Sequence, residues 1–205
     1  MGGFAVAKVA GVAAPEGFAG EAALALCAEY TDAALMNHSV RSYFFGAAYA
    51  DARGLVFDRE LLFVSALLHD FGLVAAFDSH RLPFEEAGGH VARVFGAGLG
   101  WPVGRRDRAC EVIVRHMRED VAAEVDVESH LLQVGTSADV SGLGLSGFGG
   151  EFTAELMARY PREGFGAVFL ELVRDQGARK PECSAAAWVA GGAAERIAAN
   201  PLEQV

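Results

Sequence analysis

The chain has 205 residues, 52% of them hydrophobic, and a formal net charge of -10. Only two lysines are present, Lys8 and Lys180, so a nucleic-acid surface lacks its electrostatic footing, and the apolar runs break well before the roughly 18 residues that a membrane span needs. Three cysteines, Cys27, Cys110 and Cys183, form no closely spaced pair; they suit a reducing compartment, and with no secretory pattern in the opening residues a cytoplasmic, single-domain protein (1–205) is expected.

Taken in chain order, residues 1–18 form a lead-in containing glycine and alanine, and helical spacing then runs from Glu21 to Met36 through Leu24, Cys27 and Leu35. The next helix is expected to begin near His38 and stop at Gly54, with His38 one turn from Arg41 and Ser42. A third spans Asp58–His69, with Asp58 as its N-cap. Residues 71–83 read as an irregular loop over a site, carrying Asp78, Ser79 and His80. Helices follow over Phe84–Phe95, Asp107–Glu119 with His116 turned inward, and Val127–Val140 with Gln133, Thr136 and Asp139. The glycine-rich 142–150 stretch lacks the Gly-Lys-Ser/Thr ending of a phosphate loop and reads as a connection. Helices over Phe152–Arg159 and Phe165–Gln176 read as core.

One polar pair interrupts the apolar run Leu67-Leu68-His69-Asp70-Phe71-Gly72. A buried carboxylate without a partner costs several kcal/mol, so Asp70 needs a cation, a metal or several donors. A plainer role is a helix end stopped at Gly72. His38 lies upstream and Asp139 downstream, and the order His, His-Asp, Asp on three apolar segments allows nitrogen and carboxylate ligands to converge on one cation.

That order resembles the HD-domain metalloenzyme superfamily, with its nearest likeness to the cyanamide hydratase group. The resemblance rests on Asn37-His38-Ser39-Val40-Arg41, Leu67-Leu68-His69-Asp70-Phe71-Gly72 and His80-Arg81-Leu82-Pro83-Phe84-Glu85 with Gly88-Gly89. It continues through Ile113-Val114-Arg115-His116, Leu131-Leu132-Gln133 with Asp139, Tyr160-Pro161-Arg162 and Lys180-Pro181 with Cys183. It implies an all-α helical bundle, with an HD core over about 35–145 and C-terminal helices over about 150–200. Its metal ligands would be His38, His69, Asp70 and Asp139. The donor set suits Zn2+, with iron or manganese as alternatives, and a metal in such a site lowers the pKa of bound water. The activity implied is addition of water to a small nitrile-like substrate such as cyanamide, giving urea. His80 and His116 are the proton-transfer candidates; Arg41 joins the catalytic set, orienting ligands together with Gln133. The partner expected is a small molecule, and the resemblance admits a homo-oligomer.

His90 departs from the hydratase pattern. With His116 it would complete a second metal site, as in dinuclear members of the superfamily, which opens phosphate ester hydrolysis and diiron oxidative cleavage. Phosphate is disfavoured because Phe71-Gly72-Leu73-Val74 leaves no cation beside the ligand pair, so that Arg41, Arg81 or Arg115 would have to serve. A non-catalytic binding module would be expected to lose a ligand, and none of the minimal four is missing.

Overall fold

The computed structural model describes residues 6, 8–118 and 121–204. Among them the chain is all-α. The helices are α1 (Phe18–Tyr30), α2 (Ala33–Arg53), α3 (Arg59–Leu68), α4 (Phe84–Gly98), α5 (Val103–Arg115), α6 (Val127–Ser141), α7 (Gly150–Arg159), α8 (Phe165–Arg179), α9 (Ser184–Ala190) and α10 (Ala193–Ala198). Part of the expected lead-in, residues 1–5 and 7, and the expected end of the fifth helix at Glu119 lie outside the described residues.

The first expected helix is broken in two. Apolar spacing continues through Ala33, Ala34 and Leu35, but α1 ends where the Thr31 hydroxyl donates to the Cys27 carbonyl at 2.8 Å, and Asp32 then caps α2 by accepting from the Leu35 amide at 2.8 Å. Short polar side chains favour such ends because they satisfy backbone groups that a helix leaves unpaired. The consequence for the site is that His38 sits in the second turn of a 21-residue helix rather than at a helix start. Gly54 ends that helix as expected, in the left-handed conformation with φ 64°.

Helix α3 follows its N-cap Asp58, whose carboxylate accepts from the Leu61 amide at 2.9 Å. Every residue from Leu61 to Leu68 is buried, the pattern of a helix packed on all sides. It runs through a core built from Tyr43, Phe44, Phe45, Phe63 and Leu131. A neighbouring cluster of Leu35, Leu73, Phe84, Phe165, Phe169 and Ile197 joins the C-terminal helices to the start of α2.

Helices α2 and α6 touch backbone to backbone. A Cβ on Gly135 would lie 2.0 Å from the Ser42 carbonyl oxygen, and one on Gly46 2.5 Å from that of Leu131, so only glycine allows this approach. It sets His38 on α2 beside Asp139 on α6. The end of α3 supplies His69 and Asp70 to the same place. Asp70 takes φ -95° and ψ 8°, in the sparsely populated bridge region where site residues often occur.

Candidate metal centre

His38, His69 and Asp70 are all buried, and each offers a ligand atom within 4.8 Å of the others'. The tautomers follow from their partners. His69 Nδ1 lies 2.7 Å from the Ala66 carbonyl, which can only accept, so this nitrogen carries the proton. His38 Nδ1 lies 2.7 Å from Asp139 Oδ2 and by the same reasoning donates to the carboxylate. Both Nε2 lone pairs then face one another at 3.2 Å. Asp70 Oδ2 stands 3.2 Å from His69 Nε2 and 3.5 Å from His38 Nε2. Facing lone pairs repel, and a cation among these three atoms removes the conflict.

Asp70 makes the same point. Both of its carboxylate oxygens are buried with no hydrogen-bond partner among the described residues, a placement that costs several kcal/mol unless a positive charge compensates it. Burial acts to raise the Asp70 carboxyl, but His69 and His38 outweigh it and hold it below the usual range. Burial pushes the His38 ring down. At His69 burial acts the same way, and the Asp70 carboxylate overcomes it and raises the ring. Two imidazoles and one carboxylate, each with a free lone pair turned to a common point, fit a divalent cation with coordination positions left open.

Asp139 is not among the converging atoms. It sits on the far nitrogen of His38, and Arg41 clamps it with Nε to Oδ1 at 2.7 Å and Nη2 to Oδ2 at 2.8 Å. Arg162 Nη1 adds a contact to Oδ1 at 3.2 Å. Burial would raise this carboxyl, but the Arg41 charge and the His38 and Arg41 hydrogen bonds hold it well below the usual carboxylate range. The arrangement is carboxylate, imidazole, cation, in which the outer carboxylate fixes the tautomer and plane of the ligand ring. Phe165 stacks on the opposite side, its ring 4.2 Å from that of His38 and 14° from parallel.

His38, His69 and Asp70 border a cavity of about 480 Å³. His116 lines it, with its ring centre 4.9 Å from that of His69. Its Nδ1 donates to the Ile113 carbonyl, which leaves the Nε2 lone pair free for the site. Burial, reinforced by His69, pushes the His116 ring down to about 3, so it is neutral at physiological pH and its Nε2 can accept a hydrogen bond. Thr136 and Gln133 also line the cavity; the Gln133 amide, however, donates to the Arg118 carbonyl rather than to a ligand.

Three expected site residues are placed elsewhere. His80 is exposed, because its segment is pinned from the other side: Lys180 Nζ donates to Asp78 Oδ1 at 3.2 Å and to the Ser79 and Leu82 carbonyls at 2.9 Å each. His90 is also exposed. Helix α4 turns Gly88 onto the His69 carbonyl and Gly89 onto Cys110, so the following side chain points outward and is not among the residues that line the cavity with His116. Arg41 is buried behind Asp139 and does not line the cavity; its part is to position, not to touch a substrate.

The sequence reading missed the outer half of the cavity. Phe169, Ser184, Trp188 and Arg196 line it; Phe169 lies in a helix whose spacing reads simply as core, and the other three lie beyond the last helix that spacing gives. Arg162 as a partner of Asp139 was signalled only by its place in Tyr160-Pro161-Arg162. Cys183 is buried with its sulfur 3.9 Å from the Gln176 carbonyl, and Cys27 donates to the Leu67 carbonyl at 3.2 Å while burial pushes its thiol up to about 12; both fill core space. No described helix is long and apolar enough to cross a membrane. Residues 35–140, just over half of the chain, match the family model described as HD domain. No curated protein matches the chain.

Proposed function

Because the chain belongs to the HD-domain family, whose members are generally metal-dependent hydrolases, we propose that it adds water to a nitrile-like carbon at a single divalent cation held by His38, His69 and Asp70. The observation that carries this reading is the buried Asp70 carboxylate, without a hydrogen-bond partner among the described residues, converging with ligand atoms of His38 and His69, with neutral His116 beside them. A bound cation such as Zn2+ supplies Lewis acidity that makes water a nucleophile near neutral pH.

The residues do the rest. Asp139, clamped by Arg41, holds His38 in the ligand tautomer. His116 Nε2 accepts a hydrogen bond from the attacking water and orients it, and a proton of that water passes to the nitrile nitrogen. A carbon–oxygen bond forms, one carbon–nitrogen π bond breaks, the nitrogen gains a proton, and tautomerisation gives the amide. Nothing leaves, so no leaving-group acid is required. The exposed position of His90 supports one cation rather than two.

A second reading, hydrolysis of a phosphate ester, is favoured by one observation: Arg118 and Arg196, both exposed, line the cavity, where guanidinium groups can hold phosphate oxygens. The test is to load the protein with Zn2+ and assay urea from cyanamide and amide from small nitriles beside phosphate release from p-nitrophenyl phosphate. Nitrile hydration abolished in His116→Ala supports the proposal. Phosphate release without hydration replaces it with the second reading.

A further inference from the structure

The cavity is far larger than the reaction at its floor requires. At about 480 Å³ it falls within the roughly 300–1,000 Å³ of pockets that enclose drug-sized ligands, whereas one water occupies about 30 Å³ in the liquid and cyanamide little more. A substrate that small would leave most of the walls in contact with water.

The cavity lining holds two groups of different chemistry. One is a single face of α6, where Gln133, Thr136, Ser137, Val140 and Ser141 line the cavity at the i, i+3, i+4, i+7, i+8 spacing of one helical stripe. Four of these five carry an amide or a hydroxyl. The other is aromatic and leads outward from the ligand His38. Phe165 stacks on His38, Phe169 stacks on Phe165 with ring centres 5.2 Å apart, and Trp188 meets Phe169 edge to face at 5.8 Å. Phe169 and Trp188 border the cavity directly. Rings so arranged are held by one another and offer a flat apolar body a surface that loses little freedom on binding.

We propose that the substrate of this site carries a planar apolar group, an aryl or similarly flat body, which lies between Phe169 and Trp188 on one side and the hydroxyl stripe of α6 on the other while its polar function reaches His38, His69 and Asp70. This deepens the hydratase reading and rests on it for the reacting group, but the shape claim stands on the cavity walls alone. An aryl nitrile, with benzonitrile as the simplest case, meets the requirement.

The experiment separates shape from reaction. Benzamide, the inert product of benzonitrile hydration, is titrated by calorimetry into the Zn2+-loaded protein, into Trp188→Ala and into Trp188→Phe, with circular dichroism as the check on folding. Benzonitrile and cyanamide turnover are measured on the same preparations. Saturable benzamide binding, about tenfold weaker in Trp188→Ala and recovered in Trp188→Phe, is the expected result. With that binding pattern, amide formation from benzonitrile supports both readings, and its absence leaves the cavity proposal standing while removing the hydratase one. Turnover of cyanamide with no saturable benzamide binding, or benzamide binding indifferent to Trp188→Ala, overturns the cavity proposal.

Discussion

Replacing Asp139 with Asn separates an orienting carboxylate from a metal ligand. The native side chain is fully buried and accepts from His38 Nδ1 at 2.7 Å, Arg41 Nε at 2.7 Å, Arg41 Nη2 at 2.8 Å and Arg162 Nη1 at 3.2 Å. An amide keeps the shape but has one accepting oxygen, so its NH2 must point at a donor whichever way it flips. Two buried guanidinium groups lose their counter-charge as well. Removing one partner of a buried pair costs about 3–5 kcal/mol, a large share of the roughly 5–15 kcal/mol that holds a domain folded. The metal is affected more mildly: loss of an outer carboxylate weakens affinity about 10–100-fold, or about 1.4–2.7 kcal/mol. Urea denaturation of the apo protein reads the first quantity, and Zn2+ competition against a chelator at low temperature reads the second, with Asp70→Asn alongside. A folded Asp139→Asn variant that loses metal as completely as Asp70→Asn would refute the orienting role and make Asp139 a ligand; unchanged affinity would refute any coupling through His38.

Three further changes test the frame around the site. Gly135→Ala, which raises intrinsic helix propensity by up to about 1 kcal/mol, should instead destabilise by about 1–3 kcal/mol and lower metal content, because its Cβ would meet the Ser42 carbonyl at 2.0 Å; a raised urea midpoint would contradict the close contact. Asp126 caps α6 by accepting from the Ser129 amide at 3.0 Å and binds Arg108 and Arg115. Burial acts to raise its carboxyl, yet Arg108 and Ser129 hold it well below the usual range. A depressed folded-state pKa contributes stability that is present above the ordinary Asp value of about 3.9 and lost as pH falls through the folded value. Asp126→Asn keeps the cap, so its stability deficit should be constant near neutrality and shrink below about pH 4; a deficit that grows on acidification would be the wrong sign. Finally, His80→Ala should leave kcat/KM within about twofold, as for a surface substitution, and a tenfold loss would return His80 to the site.

The parts of this architecture that depend on local chemistry were legible before the structure. Asp58 as a cap, Gly54 as a stop and the isolated His69-Asp70 pair in an apolar run each carry their meaning in neighbouring residues. The break between α1 and α2 was also signalled, by Thr31-Asp32, but continuous apolar spacing masked it. Direction was what the pattern could not supply. Nothing in the spacing says that His80 and His90 point to solvent, since the cause lies in Lys180 and in the packing of Gly88 and Gly89. Nor can the order His, His-Asp, Asp tell a ligand from the carboxylate behind a ligand, because that depends on how closely Gly135 lets α6 approach α2. Phe169 as part of the cavity wall was hidden for a related reason, since the same apolar periodicity describes a core face and a cavity-lining face, and Trp188 lies beyond the last helix that spacing gives.

Whether one divalent cation sits on His38, His69 and Asp70 is read from elemental analysis of metal per chain, on the purified wild type and on His69→Ala and His90→Ala variants. A single site gives close to one metal per chain in the wild type, near none in His69→Ala, and no change in His90→Ala. Two metals per chain, falling toward one in His90→Ala, would contradict it.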